Sequence, residues 1–292
     1  MVERGSPNLA RRRRLAAELR RLRQRADLTG GQVAARLGWK SRSKLSRIEQ
    51  GSSGLSEADL QSLLDLYNVT GAYRAELIAL AEESRKSGSI QANSMRLPEE
   101  YAAFLEAEAD AESERIWEPQ IVPGLFQVQD YTRALVRAWV TRFPRPTGEV
   151  DRRVDARRLR QEILARNPPL MLAAVVDESV LYRQIGEESV MHRQLEHLVM
   201  LAELPKVEIR ILPLLGDRPI VSGSFNYLQF RQIHDVALND VVVLESQTGM
   251  EFVEAEEETL QYLVAFESLM DSALSAEETK ELIASVANEK WA

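Results

Sequence analysis

The sequence predicts a multidomain protein, with an all-α domain of five helices at residues 1–87 and an α/β domain at residues 99–292. Through the first of these, apolar residues recur at the three- and four-residue spacing of amphipathic helices. The segment 88–98 is polar, contains glycine and serine and closes on a proline, which indicates a linker. Beyond it, short apolar runs and alternating stretches lie between helical ones, which predicts a small, mostly antiparallel sheet with flanking helices.

The first helix is predicted from a stripe of apolar residues, Leu15, Leu19 and Leu22, that continues to Ala26. The rest of this helix is dense in arginine. We interpret Arg12 and Arg13, within the run 11–14, as candidate phosphate ligands. The alternative is that the run is only the solvated side of a helix, because basic runs are signals of low specificity.

Two short helices joined by a tight turn are predicted next. Thr29 and Gln32 have capping-box spacing and begin the second helix, which Gly38 ends. Ser41 is the predicted N-cap of the third helix. On that helix Leu45 and Ile48 are three residues apart, so both face the core.

The outer face of the third helix is polar and basic. Projection at about 100° per residue places Ser43, Ser46, Arg47 and Gln50 opposite the apolar side. Arginine pairs with guanine, serine with several bases and lysine with phosphate, so this face suits a DNA groove. The alternative is an ordinary helical hairpin with a solvated charged face, since this geometry also occurs in proteins that do not bind DNA.

The segments 37–39 and 43–51 resemble the second half of the lambda-repressor-like (XRE-type) helix-turn-helix, and the resemblance covers about residues 9–70. It implies that the helix beginning near Ser41 is the recognition helix and that Glu49 is structural, paired with an arginine of the first helix. Gly30 stands where the wider family often has a phosphate-binding glutamine. The candidate DNA-binding residues are Arg12, Arg13, Thr29, Gln32, Lys40, Ser41, Arg42, Ser43, Lys44, Ser46 and Arg47.

Charge is distributed unevenly along the chain. The net charge is −8, yet residues 1–50 hold 14 Lys and Arg against 4 Asp and Glu. The remaining residues hold 23 basic and 41 acidic side chains. This asymmetry indicates a basic nucleic-acid module joined to an acidic body with another task.

Several classes of protein are excluded or disfavoured by composition. The chain has no cysteine, which excludes disulfides, thiolate metal sites and a cysteine nucleophile. No apolar run approaches a membrane span and the first residues lack the apolar segment of a signal peptide, so we expect a cytoplasmic protein without membrane contact. We predict neither a metal nor a cofactor.

In the α/β domain, an acidic helix is predicted at 101–114, followed by an extended or turning stretch at 116–125. Four strands are predicted, at 170–176, 207–211, 225–230 and 240–245. The predicted helices lie between and after them, at 126–140, 149–166, 178–184, 187–204, 254–270 and 276–286.

This part of the chain also resembles a known family. The segments 117–119, 122–127, 177–181 and 243–245 are similar, in order and spacing, to the effector domain of uncharacterised function in actinobacterial WhiJ-like regulators. The resemblance runs through most of residues 100–285. It implies a transcriptional regulator, often encoded beside a small partner protein in an antitoxin-like arrangement, and it implies no particular ligand.

No set of residues in the second domain indicates catalysis. His192 and His197 are five residues apart on one predicted helix, the wrong spacing for a shared metal, and we interpret them as surface residues. His234 beside Asp235 is interpreted as a turn. Asp177 and Glu178 follow an apolar strand, where a catalytic carboxylate or a helix cap can stand, and the cap is favoured.

We therefore predict a DNA-binding transcriptional regulator that acts as a homodimer and is not an enzyme. The alternative is an antitoxin-like protein whose acidic domain binds a small partner protein, with DNA binding for autoregulation. A third hypothesis is a sensor of an unknown small molecule. The loop 213–223 could line a groove for a ligand or a partner.

Overall fold

The computed structural model describes residues 9–50, 55–86, 98–140, 148–230, 239–246 and 249–292. These residues form two compact units, the first ending at Asp110 and the second comprising Ala111–Phe230 and Asn239–Ala292. Within the described ranges, no helix has the length and apolar character needed to cross a membrane.

The first unit is all-helical. Its five predicted helices are confirmed, and a sixth, which the sequence analysis had placed at 101–114 in the second domain, groups with them. Their bounds are α1 Leu9–Arg25, α2 Gly30–Arg36, α3 Ser43–Glu49, α4 Glu57–Leu66, α5 Gly71–Lys86 and α6 Glu99–Asp110.

The core of the first unit is built from leucines that the helical periodicity predicted. Leu15, Leu19 and Leu22 of α1 are buried, as are Leu45 and Ile48 of α3. Burial of each such side chain contributes about 1.5–3 kcal/mol relative to exposure, so together these residues stabilise the unit substantially. Other large buried side chains of this core include Leu60, Leu63 and Leu64 of α4 and Leu77 of α5.

The second unit is an α/β domain. Besides two 3₁₀ turns at Gly124–Phe126 and Glu162–Ala165, its described residues form strands and helices. The strands are β1 Ser113–Glu118, β2 Met171–Asp177, β3 Val207–Leu212, β4 Phe225–Gln229, β5 Val241–Ser246 and β6 Gly249–Val253. The helices are α7 Gln129–Val140, α8 Glu149–Gln161, α9 Ser179–Tyr182, α10 Glu188–Leu201, α11 Glu256–Ser272 and α12 Ala276–Lys290.

The six strands form one mixed sheet in the order β3-β2-β1-β4-β5-β6. The pairs β1–β2 and β2–β3 are parallel, whereas β1–β4, β4–β5 and β5–β6 are antiparallel. Antiparallel pairs are thus in the majority, as predicted, but the sheet has a parallel half. In that half the helices α7 to α10 form the crossover connections that parallel strands require.

Two strands, β1 and β6, were not predicted. The acidic helix expected to reach residue 114 ends at Asp110, and β1 begins at Ser113. The side chain of Glu114 lies on the face of the sheet opposite Trp117 and is fully buried. Its Oε1 accepts a hydrogen bond from Asn226 Nδ2 at 2.6 Å and lies 3.9 Å from Arg160 Nη2. A buried carboxylate breaks the apolar pattern by which a strand is recognised.

One face of the sheet packs against α11. Trp117, Val175, Phe225 and Val242 lie on this face with Phe266 of the helix. All five side chains are buried. The packing joins the parallel and antiparallel halves in a single apolar layer, as the hydrophobic effect favours.

The outer edge of β3 is covered by the chain that leads into α12. The backbone N–H of Ile211 donates to Thr279 Oγ1 at 3.1 Å, and its carbonyl accepts from the backbone N–H of Leu274 at 2.9 Å. These bonds satisfy polar groups that an edge strand otherwise presents.

Candidate nucleic-acid interface

The second helix begins with the capping box that the sequence predicted. Gln32 N donates to Thr29 Oγ1 at 3.3 Å, and Thr29 N donates to Gln32 Oε1 at 2.8 Å. Both residues are exposed. Their side chains therefore satisfy backbone donors at the start of α2. This structural role is additional to the DNA contact predicted for them, which stays a prediction.

Gly38 ends α2 in the left-handed conformation, with φ of +67°. Gly38 N donates to Ala35 O at 3.3 Å and Trp39 N donates to Ala34 O at 2.8 Å. This pair of bonds is a Schellman motif, which requires a residue that tolerates positive φ. The turn brings Trp39 back against the core of the first unit, where its side chain is half-buried.

The prediction that Ser41 caps α3 is wrong. The helix begins at Ser43, and the residue before it, Arg42, has helical backbone angles and makes no capping hydrogen bond through its side chain. A side-chain N-cap needs an extended backbone at the capping position. Ser41 lies one residue too early for that role and is exposed.

The two faces of α3 are as projected from the sequence. Leu45 and Ile48 are 1% and 4% exposed and pack in the core. The opposite side is open to solvent and polar. Its exposed residues, together with the turn before the helix, are Lys40, Ser41, Arg42, Ser43, Ser46, Arg47 and Gln50. This exposed face carries the donors that base edges and phosphates require.

Arg23 of α1 holds the end of α3 through Glu49. Arg23 Nε lies 2.7 Å from Glu49 Oε1 and Nη2 lies 3.0 Å from Oε2, while Nη1 donates to Leu28 O at 2.9 Å. The hydrogen bond to Glu49 raises the pKa of Arg23 although burial opposes this. The structural role implied for Glu49 is confirmed.

Lys44 lies beside the exposed face but its amine is engaged within the unit. Its Nζ is 2.7 Å from Asp59 Oδ1 of α4 and 4.5 Å from the centroid of the Trp39 ring. Burial disfavours the ionised Asp59, but hydrogen bonds from Lys44 and Ser56 outweigh it and lower the pKa of the carboxyl. The sequence could not show this pairing, because its partners belong to other elements.

The remaining candidates, Arg12 and Arg13, lie in the first turns of α1. Their side chains are outside the described residues. Further along the same helix, Arg20 and Arg25 are exposed. The expectation that arginines of this helix contact phosphate includes these two, although only Arg12 and Arg13 were named as candidates.

In the second unit, Asp177 and Glu178 make hydrogen bonds and an ion pair with neighbouring segments of the chain. Asp177 Oδ1 accepts from Ser179 N at 3.0 Å, and its other oxygen pairs with Arg218. Glu178 Oε2 accepts from Leu214 N at 2.8 Å. The N-cap position of α9 is Glu178, which has helical backbone angles and makes no capping hydrogen bond through its side chain, so the favoured cap at this pair is not formed in the expected way. Asp177 instead binds the first backbone N–H of α9 from one residue earlier, and the bonds of the pair to Arg218 and Leu214 attach the loop after β3 to the end of β2.

The histidines of α10 have separate surroundings. His192 Nδ1 lies 2.9 Å from Ala287 O, and burial lowers the pKa of His197. Both rings are half-buried rather than at the surface. Among the described residues no group of three or more His, Asp or Glu side chains could hold a metal ion. His234 lies outside the described residues.

A polar cluster that the sequence analysis missed lies at the carboxyl end of β1. Glu118 Oε1 accepts from Gln120 N at 3.1 Å. Burial raises the pKa of Glu118 to about 7, and Glu245 adds to the shift, whereas backbone N–H groups and Arg157 oppose it. A carboxyl group with such a pKa changes charge near neutrality, which is frequent at functional sites but also occurs in structural networks.

The loop after β1 is fixed by glutamine side chains. Gln127 Nε2 donates to Val122 O at 2.7 Å, and Gln194 donates to Phe126 O and accepts from Val128 N, both at 2.8 Å. Both glutamines are buried. These amide groups satisfy backbone donors and acceptors of a loop that contains no long regular element, and Gln194 joins that loop to α10.

The loop 213–223 presents apolar side chains to solvent. Leu215 is 87% exposed and Ile220 is 98% exposed. Arg218 anchors the loop through Asp177 and also donates to Pro213 O at 3.3 Å. The groove predicted along this loop stays a prediction.

Two family models match the chain. One, described as a helix-turn-helix domain, matches residues 14–77, and the other, described as a domain of unknown function (DUF5753), matches residues 101–285. No curated protein and no solved structure matches the chain. The first match, with the α2–turn–α3 geometry, identifies a helix-turn-helix domain and indicates DNA binding.

Proposed function

The chain belongs to the family of proteins that contain the domain of unknown function DUF5753, and we propose that this member is a sequence-specific transcriptional regulator that binds double-stranded DNA. The observation that supports the proposal is the exposed polar and basic face of α3. That face is set on a hairpin whose other side packs in the core.

In this proposal α3 is the recognition helix and enters the major groove. Arg42, Ser43 and Arg47 read base edges, because a forked guanidinium pairs with guanine and a serine hydroxyl with several bases. The arginines of α1, with Lys40, contact phosphates and set the orientation of the domain. The basic excess of residues 1–50 supplies the electrostatic part of the affinity.

We propose that the protein acts as a homodimer. A recognition helix of seven residues reads few base pairs, and a two-fold dimer doubles the number of positions that are read. The operator should then contain two related half-sites with centres about 34–36 Å apart, or a multiple of that distance.

The second unit is proposed to receive the signal, either a small molecule or a partner protein. A partner is favoured by the exposed Leu215 and Ile220 on an anchored loop, since exposed apolar groups often mark interfaces. The alternative function is an antitoxin-like protein that binds a small basic partner. The acidic excess of the residues after 50 supports that alternative.

Fluorescence anisotropy with the DNA upstream of the protein's own gene tests the main proposal. The affinity should be higher than for a scrambled duplex of the same composition and should fall steeply with salt. Equal and weak binding to both duplexes would contradict it for the unliganded protein. Co-purification of a stoichiometric small protein from the native host would favour the alternative.

A further inference from the structure

We infer that Lys44 is a positioning residue that orients the recognition helix by bridging Trp39 and Asp59, and that it is not a phosphate ligand. The inference rests on the proposed DNA-binding function. It separates the half-buried Lys44, which holds α3 in place, from the exposed residues of α3 that are proposed to read DNA.

The first step concerns the intrinsic weakness of α3. The helix has seven residues, and its N-cap residue Arg42 makes no capping hydrogen bond through its side chain. Isolated helices of that length are not stable in water, because too few hydrogen bonds offset the cost of nucleation. The orientation of α3 must therefore come from contacts with its neighbours. At its last residue this contact is Glu49 with Arg23.

The second step concerns the first turn of α3. Lys44 is the second residue of the helix, and its Nζ is 2.7 Å from Asp59 Oδ1 in the first turn of α4. Asp59 is itself held by two hydrogen bonds with Ser56. Its Oδ2 accepts from Ser56 Oγ at 2.7 Å, and its backbone N–H donates to Ser56 Oγ at 3.1 Å. The ion pair thus connects the start of α3 to a rigid helix N-terminus.

The third step concerns the turn between α2 and α3. The Lys44 amine lies 4.5 Å from the centroid of the Trp39 ring, within the range of a cation–π interaction. Trp39 is fixed by the Schellman motif at the end of α2. Lys44, at the start of α3, therefore contacts both Trp39 in the turn after α2 and Asp59 at the start of α4. We expect a substitution of Lys44 to alter the direction of α3.

The two roles of Lys44 predict opposite effects for a change of its partner. If Lys44 bound phosphate, Asp59→Asn would release the amine and remove a negative charge near DNA, so affinity would rise. If Lys44 positions α3, the same substitution loosens the helix and affinity falls. The asparagine can still accept from Ser56, so the cap of α4 is retained.

The experiment compares the full-length chain with Lys44→Met, Lys44→Arg, Asp59→Asn and the double variant Lys44→Met/Asp59→Asn. Asp65→Asn is the matched control, because it makes the same charge change on α4 and removes only a surface pair with Arg74. Anisotropy is measured with the native and scrambled duplexes over a salt series. Circular dichroism and thermal unfolding verify that each variant is folded.

We expect Lys44→Met and Asp59→Asn each to weaken binding to the native duplex about five- to tenfold, with the double variant no weaker than either single one. Lys44→Arg should retain most of the affinity, because its guanidinium can still pair with Asp59 and stack on Trp39. The salt dependence should stay unchanged. Tighter binding by Asp59→Asn, or a slope reduced by about 0.9 in Lys44→Met, would identify a phosphate contact and overturn the inference.

Hydrogen exchange of the α3 amides provides a second measurement that needs no DNA. Exchange should be faster in Lys44→Met and Asp59→Asn than in the wild type and in Asp65→Asn. Equal exchange in all of them would overturn the inference. A wild-type protein without sequence preference would count against the proposed function instead, and the exchange rates would still decide whether Lys44 positions the helix.

Discussion

Arg23 and Glu49 form a two-point ion pair between the first helix and the last residue of α3, with N–O distances of 2.7 Å and 3.0 Å. Their side chains are 17% and 11% exposed. Planar guanidinium and carboxylate groups in this arrangement restrict direction as well as distance. The helix α3 is thereby joined to α1 at its end and, through Lys44, to α4 at its start.

Glu49→Gln should lower the stability of the first unit. The substitution leaves Arg23 without a charged partner in a partly buried place, and we expect a loss of about 1–3 kcal/mol. Differential scanning calorimetry of the full chain measures the loss as a lower temperature for the helical unit. Asp65→Asn, which removes an ion pair whose carboxylate is 71% exposed, should change the stability by less than about 1 kcal/mol. Similar small effects for both variants would show that the Arg23–Glu49 pair is dispensable.

Arg42→Ala should weaken binding to the operator by about 1–3 kcal/mol and relax the base preference at one position. The reason is that the substitution removes an exposed guanidinium group at the start of α3, where a base contact is proposed. Binding to a set of single-base operator variants measures both effects. Arg158→Ala, an equal charge change on an exposed residue of α8, is the control. Unchanged affinity and preference in Arg42→Ala would remove this residue from the interface.

Gly38→Ala should destabilise the helix-turn-helix by about 1 kcal/mol. No atom lies within 4 Å of a Cβ built at this position, so the cost arises from the positive φ of +67° and not from a clash. Gly38→Asn should cost less, because asparagine tolerates this conformation better than alanine. Thermal unfolding of the three proteins tests the order, and an alanine variant as stable as the wild type would contradict it.

Glu118 should make the stability of the α/β domain depend on pH near neutrality. Its pKa is raised to about 7 in the folded protein, so folding favours the protonated form. The stability from this effect is complete below the pKa of the unfolded chain, near 4.3, and is lost as the pH rises through 7. Glu118→Gln should therefore gain stability relative to the wild type between pH 5 and pH 8, by up to about 3 kcal/mol.

Unfolding curves at several pH values measure the change for Glu118→Gln. Glu251→Gln, on an exposed residue of β6, is the control and should follow the wild type at each pH. A difference between Glu118→Gln and the wild type that does not vary with pH would show that the carboxyl group does not titrate in this range.

Much of the first unit could be predicted because its signals are local. The Leu15–Leu19–Leu22 stripe, the Thr29–Gln32 capping box and the Gly38 turn each lie within one helix or its end. The exposed face of α3 follows from the same periodicity. The start of α3 was predicted one residue too early. Serine is a favoured N-cap residue, but the turn extends past Ser41 and the N-cap position is Arg42.

The features that escaped prediction depend on partners far along the chain. β1 is concealed by the inward-facing Glu114, whose bonding partner Asn226 lies 112 residues away. The engagement of Lys44 depends on Asp59 in the next helix, and the raised pKa of Glu118 depends on burial that only the folded sheet creates. Spacing within a sequence carries no information on such tertiary contacts.

The bonds from Ile211 to Thr279 and Leu274 have a consequence for how the sheet can be extended. A peptide that adds as a further strand must find free backbone groups along one rim. At the outer edge of β3, the backbone N–H and carbonyl of Ile211 are already hydrogen-bonded to Thr279 and Leu274. A strand that pairs with Ile211 would first have to detach the start of α12. Growth of the sheet from that rim is therefore coupled to partial unfolding of α12.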